Sequence, residues 1–89
     1  MAVLLVTYDL NTPGKDYNDL LKKIKGYDWA RLSESSYAIS TSASPQAVFD
    51  QLKPYLDRND YIYIITLKRP YTGYGPQDVN DWLEKYLSY

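Results

Sequence analysis

The alternation of hydrophobic and polar positions begins with an uninterrupted apolar run over residues 3–6, which continues into Thr7-Tyr8-Asp9. Residues 11–14 then contain Pro and Gly and interrupt the pattern. A continuous apolar run that ends at such a breaker predicts a strand over residues 2–10, buried on both faces. Asp9 lies where this strand leaves the core, so it can bind a metal, accept a proton or cap the following turn.

A helix and two strands follow the first strand. Apolar residues recur at helical spacing over residues 17–25, with Asp16 as a candidate N-cap and Gly26 as a C-terminal stop. Residues 28–33 and 36–41 are separated by a two-residue turn and have the composition of strands. They predict a β-hairpin.

The second half of the chain predicts two helices with a strand between them. Ser44, followed by proline, marks the start of a second helix, and Pro54 is expected to kink or end it. Residues 61–67 are β-branched or aromatic almost throughout and predict a strong strand. Pro76 then opens a final amphipathic helix.

The predicted element order is βαββαβ with an additional C-terminal helix, which is the pattern of a ferredoxin-like α+β sandwich in a single domain over residues 1–89. We expect the first and third strands to be central and parallel, and the fourth to lie at an edge beside the first. The fourth strand is apolar on both faces and would be a poor bare edge. The C-terminal helix can cover one face and a second subunit the other. This predicts a homodimer packed through the open sheet face, with Tyr8, Tyr61 and Tyr63 at the contact.

The composition narrows the possible chemistry. The chain contains neither cysteine nor histidine, which removes disulfides, thiolate ligands and nucleophiles, and the commonest general base. A metal site would therefore use oxygen ligands, which suit Mg²⁺, Ca²⁺ or Mn²⁺. The apolar run at the start is too short to span a membrane, and no basic segment precedes it as in a signal peptide, so a cytoplasmic protein without membrane attachment is expected.

The charges give a candidate nucleic-acid interface. The net charge of −1 argues against a dedicated nucleic-acid-binding protein. Five basic residues nevertheless combine with tyrosines in a pattern that can contact phosphates and stack on bases: Lys22, Lys23, Arg31, Lys68 and Arg69. The alternative is a solvated helix face together with a strand end.

The segment 68–75 contains two tyrosines, a proline and two glycines. This composition indicates a shaped loop. It lacks the ending of a phosphate-binding P-loop, and it serves either as a recognition loop or as the connection to the last helix.

Three stretches resemble a known family. They are the strand Val-Leu-Leu-Val-Thr-Tyr-Asp-Leu at residues 3–10, the segment Arg-Leu-Ser-Glu-Ser-Ser-Tyr at 31–37, and the strand at 61–67. Together they resemble the small CRISPR-associated ferredoxin-like protein that forms a dimer within the spacer-integration complex. More distantly, the chain is similar to virulence-associated protein D, a ribonuclease of toxin–antitoxin type.

The resemblance implies a role for the strand-end aspartate, Asp9. In those families this residue faces its dimer mate and can hold a divalent cation, Mg²⁺ or Mn²⁺, for cleavage of a phosphodiester. Hydroxyls such as Ser33, Ser35 or Ser36 would orient water or substrate. The alternative is that Asp9 caps the turn at residues 11–14 through backbone hydrogen bonds.

Two functional hypotheses follow. The first is a non-enzymatic dimeric module that binds a protein or a nucleic acid, and the second is a metal-dependent endonuclease acting on RNA or DNA through Asp9. The absence of histidine and the nearly neutral charge favour the module.

Overall fold

A computed structural model describes residues 1–87. They form a small α+β domain with a four-stranded sheet and three helices. In chain order the elements are β1 (Ala2–Asp9), α1 (Asn18–Ile24), β2 (Asp28–Ser33), β3 (Ser36–Thr41), α2 (Pro45–Leu52), a short 3-10 helix (Lys53–Tyr55), β4 (Tyr61–Leu67) and α3 (Gln77–Tyr86).

The strands lie in the order β2-β3-β1-β4, and every neighbouring pair is antiparallel. β4 is therefore an edge strand beside β1, as predicted from the sequence. The expectation that β1 and β3 are parallel is wrong, because Val3 faces Ser40 and Leu5 faces Ala38 in an antiparallel register. The tight turn after β2 forces β3 to run back against it, and β3 then fills the space between β1 and the parallel β2. This arrangement is compatible with a ferredoxin-like fold.

One face of the sheet carries the main core. Leu4 and Val6 of β1 and Ile39 of β3 point to this face and are fully buried against α1 and α2. The helices contribute four buried aliphatic side chains, Leu20, Ile24, Val48 and Leu52. Each such side chain gives roughly 1.5–3 kcal/mol when it is removed from water, so this layer supplies most of the hydrophobic stabilisation.

The opposite face is only half covered. α3 lies over its first half, where Val3, Ala38 and Leu87 form a second, smaller buried cluster. Leu5 is half-buried and Asp9 is exposed. The expectation that β1 is covered on both faces therefore holds at its start and fails toward its end.

Local signals set the helix boundaries. The Ser44 hydroxyl accepts a hydrogen bond from the backbone N–H of Ala47 at 3.1 Å, which confirms Ser44 as the N-cap of α2. The Asp16 carboxylate accepts from the N–H of Asn18 at 2.9 Å, although the residue that directly precedes α1 is Tyr17. α2 ends at Leu52, and Pro54 lies in the 3-10 helix that follows directly, in agreement with the expectation that this proline ends the regular helix.

None of the helices within residues 1–87 is long and apolar enough to cross a membrane.

Candidate functional site

The uncovered half of the sheet exposes a row of large side chains on β4. Tyr61, Tyr63 and Ile65 are 60%, 67% and 50% exposed, and we call these three residues the tyrosine face. Alternate residues of a strand point to opposite faces, so Ile62 and Ile64 pack into the main core instead. The row is open because β4 is an edge strand and because α3 covers the other half of this face.

A polar strip on β1 and β3 runs beside the tyrosine face. Asp9 pairs with Tyr61 across the sheet and Thr7 pairs with Tyr63. The hydroxyls of Thr7 and Ser36 lie 3.0 Å apart and hydrogen-bond to each other. The open face thus combines aromatic rings with hydroxyls and the exposed carboxylate of Asp9.

A groove of about 750 Å³ adjoins the tyrosine face. It lies between the end of β4, the loop at residues 68–76 and α3, and its apolar lining includes Leu5, Leu32, Leu67, Val79 and Leu83. The loop that the sequence singled out therefore forms one wall of a groove. Within this loop, Tyr74 projects into solvent with its whole side chain exposed.

Arg69, just after β4, holds α3 in place through hydrogen bonds and an ion pair. Its guanidinium donates hydrogen bonds to the backbone oxygens of Leu87 and Glu84 and forms an ion pair with the Glu84 carboxylate at 3.2 Å. The Tyr71 hydroxyl donates to the same carboxylate. This hydrogen bond, followed by the positive charge of Arg69, lowers the pKa of Glu84. Arg69, a predicted nucleic-acid contact, thus makes hydrogen bonds and an ion pair within its own chain.

The predicted basic interface is divided between two sides of the sheet. Lys22 and Lys23 are exposed on α1, which packs on the main-core face. Lys68 and Arg69 line the groove on the opposite side. Arg31 is exposed on β2, where its Nε donates to the backbone oxygen of Ser33 at 3.2 Å. A nucleic acid that binds to one side of the sheet would therefore not contact all five basic residues at once.

The three predicted dimer-contact tyrosines are divided in the same way. Tyr61 and Tyr63 belong to the open face, whereas Tyr8 packs against the main core on the other side. Its hydroxyl donates to the backbone oxygen of Glu34 at 3.2 Å. Burial, followed by the nearby Tyr37, raises the pKa of Tyr8. A contact through the open face would therefore use Tyr61 and Tyr63 without Tyr8.

Asp9 is exposed, and no residue in the described part of the chain donates a hydrogen bond to its carboxylate. Among residues 1–87, no group of three or more acidic, histidine or cysteine side chains is placed to hold a metal ion. A metal site at Asp9 would therefore need ligands from a second copy of the chain. The predicted hydroxyls act locally: Ser33 accepts from the N–H of Ser35 at 3.3 Å, and Ser36 bonds to Thr7.

The turn after β1 is held by Asp60, a residue that the sequence did not single out. Its carboxylate accepts hydrogen bonds from the backbone N–H groups of Asn11 and Asp57 and from the hydroxyls of Tyr17 and Thr12. Burial opposes the charge, but these hydrogen bonds outweigh it and lower the pKa of Asp60 to about 2. The capping role considered for Asp9 thus belongs to Asp60.

Comparison with models of known protein families finds no match to this chain. Comparison with curated proteins finds none either. The resemblance to the CRISPR-associated family consequently remains a prediction that rests on the three stretches quoted above.

Proposed function

We propose that the protein is a ferredoxin-like, non-enzymatic binding module of the cytoplasm that works as a homodimer through its open sheet face. The tyrosine face carries this proposal. Three successive outward positions of one edge strand expose large apolar or aromatic side chains. Such side chains are favoured in protein contacts, where the ring is buried and the hydroxyl stays hydrated.

Two further observations support the fold and family assignment. The order of elements and the strand order β2-β3-β1-β4 match the ferredoxin-like pattern. The resemblance of residues 3–10 and 61–67 to the CRISPR-associated family points to a dimer, since members of that family pair in this way. The C-terminal helix α3 differs from the strand which that family exchanges between subunits, so the dimer proposed here relies on the open face instead.

The arrangement of ionisable groups supports a binding role over an enzymatic one. The open half of the face carries one carboxylate, Asp9, beside hydroxyls that bond to each other. Acid–base catalysis depends on a group held within hydrogen-bond reach of its partner and tuned by its surroundings. Asp9 has no such partner among residues 1–87.

One observation favours endonuclease activity as the second candidate. Asp9 lies on the same face as Tyr61, which it opposes across the sheet. A dimer that packs through this face could bring two Asp9 carboxylates together, and Mg²⁺ or Mn²⁺ between them would neutralise their repulsion and polarise a phosphate.

Sedimentation velocity of the full chain tests the dimer. The wild type is expected to sediment as a dimer at about 10 µM. Tyr63→Glu should weaken association at least tenfold, as expected when a charge replaces a central aromatic contact. Asn18→Glu adds the same charge at an exposed position on α1, on the far side of the sheet, and should leave the dimer intact. A wild type that stays monomeric at this concentration contradicts the proposal.

A cleavage assay separates the two functions. Wild-type protein with Mg²⁺ or Mn²⁺ is expected to leave single- and double-stranded RNA and DNA intact. Cleavage that Asp9→Ala abolishes would overturn the non-enzymatic proposal and establish the endonuclease.

A further inference from the structure

The tyrosine face is too small to hold a stable dimer by itself. An aromatic side chain presents about 200 Å² when fully exposed, so the exposed fractions of Tyr61, Tyr63 and Ile65 correspond to roughly 350 Å². A specific, stable interface takes about 800 Å² from each partner. The proposed homodimer therefore needs further surface that continues this face.

The groove beside α3 supplies that continuation. Leu5 lines the groove and pairs with Ile65 of the tyrosine face across the sheet. The groove has an apolar floor and a volume of about 750 Å³, within the range of about 300–1,000 Å³ that encloses a small organic ligand. It can therefore accept an aromatic ring together with part of the loop that carries it.

The charges at the groove favour an uncharged guest. The Arg69 guanidinium and the Glu84 carboxylate neutralise each other at its edge through their 3.2 Å ion pair. Arg69 also donates hydrogen bonds to the backbone oxygens of Leu87 and Glu84, and the Tyr71 hydroxyl donates one to the Glu84 carboxylate. A phenol ring meets the Arg69–Glu84 pair without leaving either of these charges unpaired, whereas an acidic or strongly basic guest would compete with this ion pair.

Tyr74 has the properties of that guest. Its ring is completely exposed on the wall of the groove, between Gly73 and Gly75. A Cβ added at either glycine would meet no atom within 4 Å, so both positions beside Tyr74 face open space. An exposed aromatic ring beside an empty apolar groove is a self-complementary pair, as a two-fold symmetric contact requires.

We infer that each copy of the homodimer inserts Tyr74 into the groove between α3 and the sheet of the other copy. This inference rests on the proposed homodimer and specifies its contact. Tyr74 serves as the anchor, the lining residues Leu32 and Val79 form its pocket, and the tyrosine face forms the rest of the interface.

Dissociation constants from sedimentation equilibrium test the anchor. Tyr74→Ala should raise the dimer dissociation constant at least tenfold, since a buried aromatic anchor is typically worth more than about 1.4 kcal/mol. Tyr74→Phe keeps the ring and should stay within about threefold of the wild type. Because the Tyr74 side chain is fully exposed, the far-ultraviolet circular dichroism of both variants should be unchanged.

The groove is tested by Leu32→Glu, a change at an exposed position of β2. It should weaken the dimer as much as Tyr74→Ala, and the double variant should be little worse than either single one, because both changes remove the same contact. Asn18→Glu is again the matched control for added charge.

Cross-linking identifies the contact directly, because the chain has no cysteine of its own. With dissolved oxygen as the oxidant, Thr72→Cys protein mixed with Leu32→Cys protein should form a mixed disulfide faster than Thr72→Cys mixed with Asn18→Cys.

The outcomes distinguish the two proposals. Equal cross-linking rates, or a Tyr74→Ala dimer as tight as the wild type while Tyr63→Glu dissociates, overturn the Tyr74 contact and leave the homodimer standing. A wild-type chain that remains monomeric overturns both.

Discussion

At the scale of single residues, Asp60 is the most heavily bonded polar group in the described part of the chain. One carboxylate joins the loop after β1 to the loop before β4 through four donors. Its hydrogen bond with the Tyr17 hydroxyl, at 2.6 Å, also links it to the start of α1. Asp60 therefore fixes the point at which β1 leaves the core.

Asp60→Asn is expected to destabilise the fold by about 1 kcal/mol. The amide replaces a charged acceptor of four hydrogen bonds, and the loss stays at the lower end of the usual range because solvent reaches the site. Urea unfolding at pH 7 measures the change. Asp57→Asn is the matched control in the same loop: it removes a half-exposed carboxylate that pairs with Lys15 at 3.4 Å, and should cost less than about 0.5 kcal/mol. Equal effects of the two substitutions would contradict the special role of Asp60.

The lowered pKa of Asp60 gives this contribution a defined pH dependence. The carboxyl titrates at about 2 in the folded protein, against an ordinary value of 3.8. Its stabilisation is complete above about pH 4 and is lost as the pH falls from about 4 to 2. The difference in urea midpoint between the wild type and Asp60→Asn should shrink across that interval. A difference that is constant down to pH 2 would show that the charge does not contribute.

Ser44 and Asp60 show which side-chain roles can be predicted from a local sequence pattern and which cannot. Ser44 bonds within its own helix turn, so the serine–proline pair predicted its role correctly. Asp60 bonds to Asn11, Thr12 and Tyr17, which are more than 40 positions away in the sequence. No local pattern contains these partners, and they meet only because β4 pairs with β1.

At the scale of elements, α3 is held by polar contacts at its ends more than by deep burial. No residue within α3 is fully buried. The indole N–H of Trp82 is buried without a hydrogen-bond partner among residues 1–87, which lowers the stability of this layer. Arg69 compensates by bonding to Glu84 and to the backbone at the end of the helix.

Arg69→Ala should therefore loosen α3 while leaving the main core in place. We expect amide hydrogen exchange in α3 to accelerate about tenfold, which corresponds to the loss of about 1.4 kcal/mol of local stability, and exchange in α1 to stay unchanged. Arg58→Ala, in the exposed loop before β4, is the control for removing an arginine. Unchanged exchange in α3 would show that Arg69 does not hold the helix.

The elements also show why the relative direction of β1 and β3 was predicted wrongly from the sequence. Periodicity located β2, β3 and β4 at their observed boundaries, because alternation and turn residues are local features. Alternation reads the same in both directions along a strand, so it left the relative direction of β1 and β3 undetermined. The two-residue connection makes β2 and β3 antiparallel, but β3 runs against β1 only because the connection through α1 leaves β2 parallel to β1.

At the scale of the whole molecule, the two faces of the sheet differ in how far helices cover them. The main-core face is closed by two helices, whereas the other is half closed by α3 and half open. The sequence predicted that strand four would need a cover and that Tyr8, Tyr61 and Tyr63 lie at a dimer contact, and two of these three, Tyr61 and Tyr63, are exposed on the open face. The groove was not foreseeable, because its walls come from β1, β2, the loop after β4 and α3, which no sequence pattern joins.

The open half predicts a thermal stability that depends on protein concentration. If folded chains associate through the tyrosine face and the Tyr74 contact, mass action stabilises the folded state as concentration rises. Raising the concentration about 100-fold above the dissociation constant adds up to about 2.7 kcal/mol, which for a domain of this size corresponds to a rise of several degrees in Tm. Differential scanning calorimetry of the wild type and Tyr63→Glu, each at about 1 and 100 µM, measures this. We expect the Tm to rise with concentration, and to rise less for the variant than for the wild type. A wild-type Tm that does not change would mean that the open face contributes nothing to stability through self-association, because any contact made only by folded chains must raise the Tm with concentration.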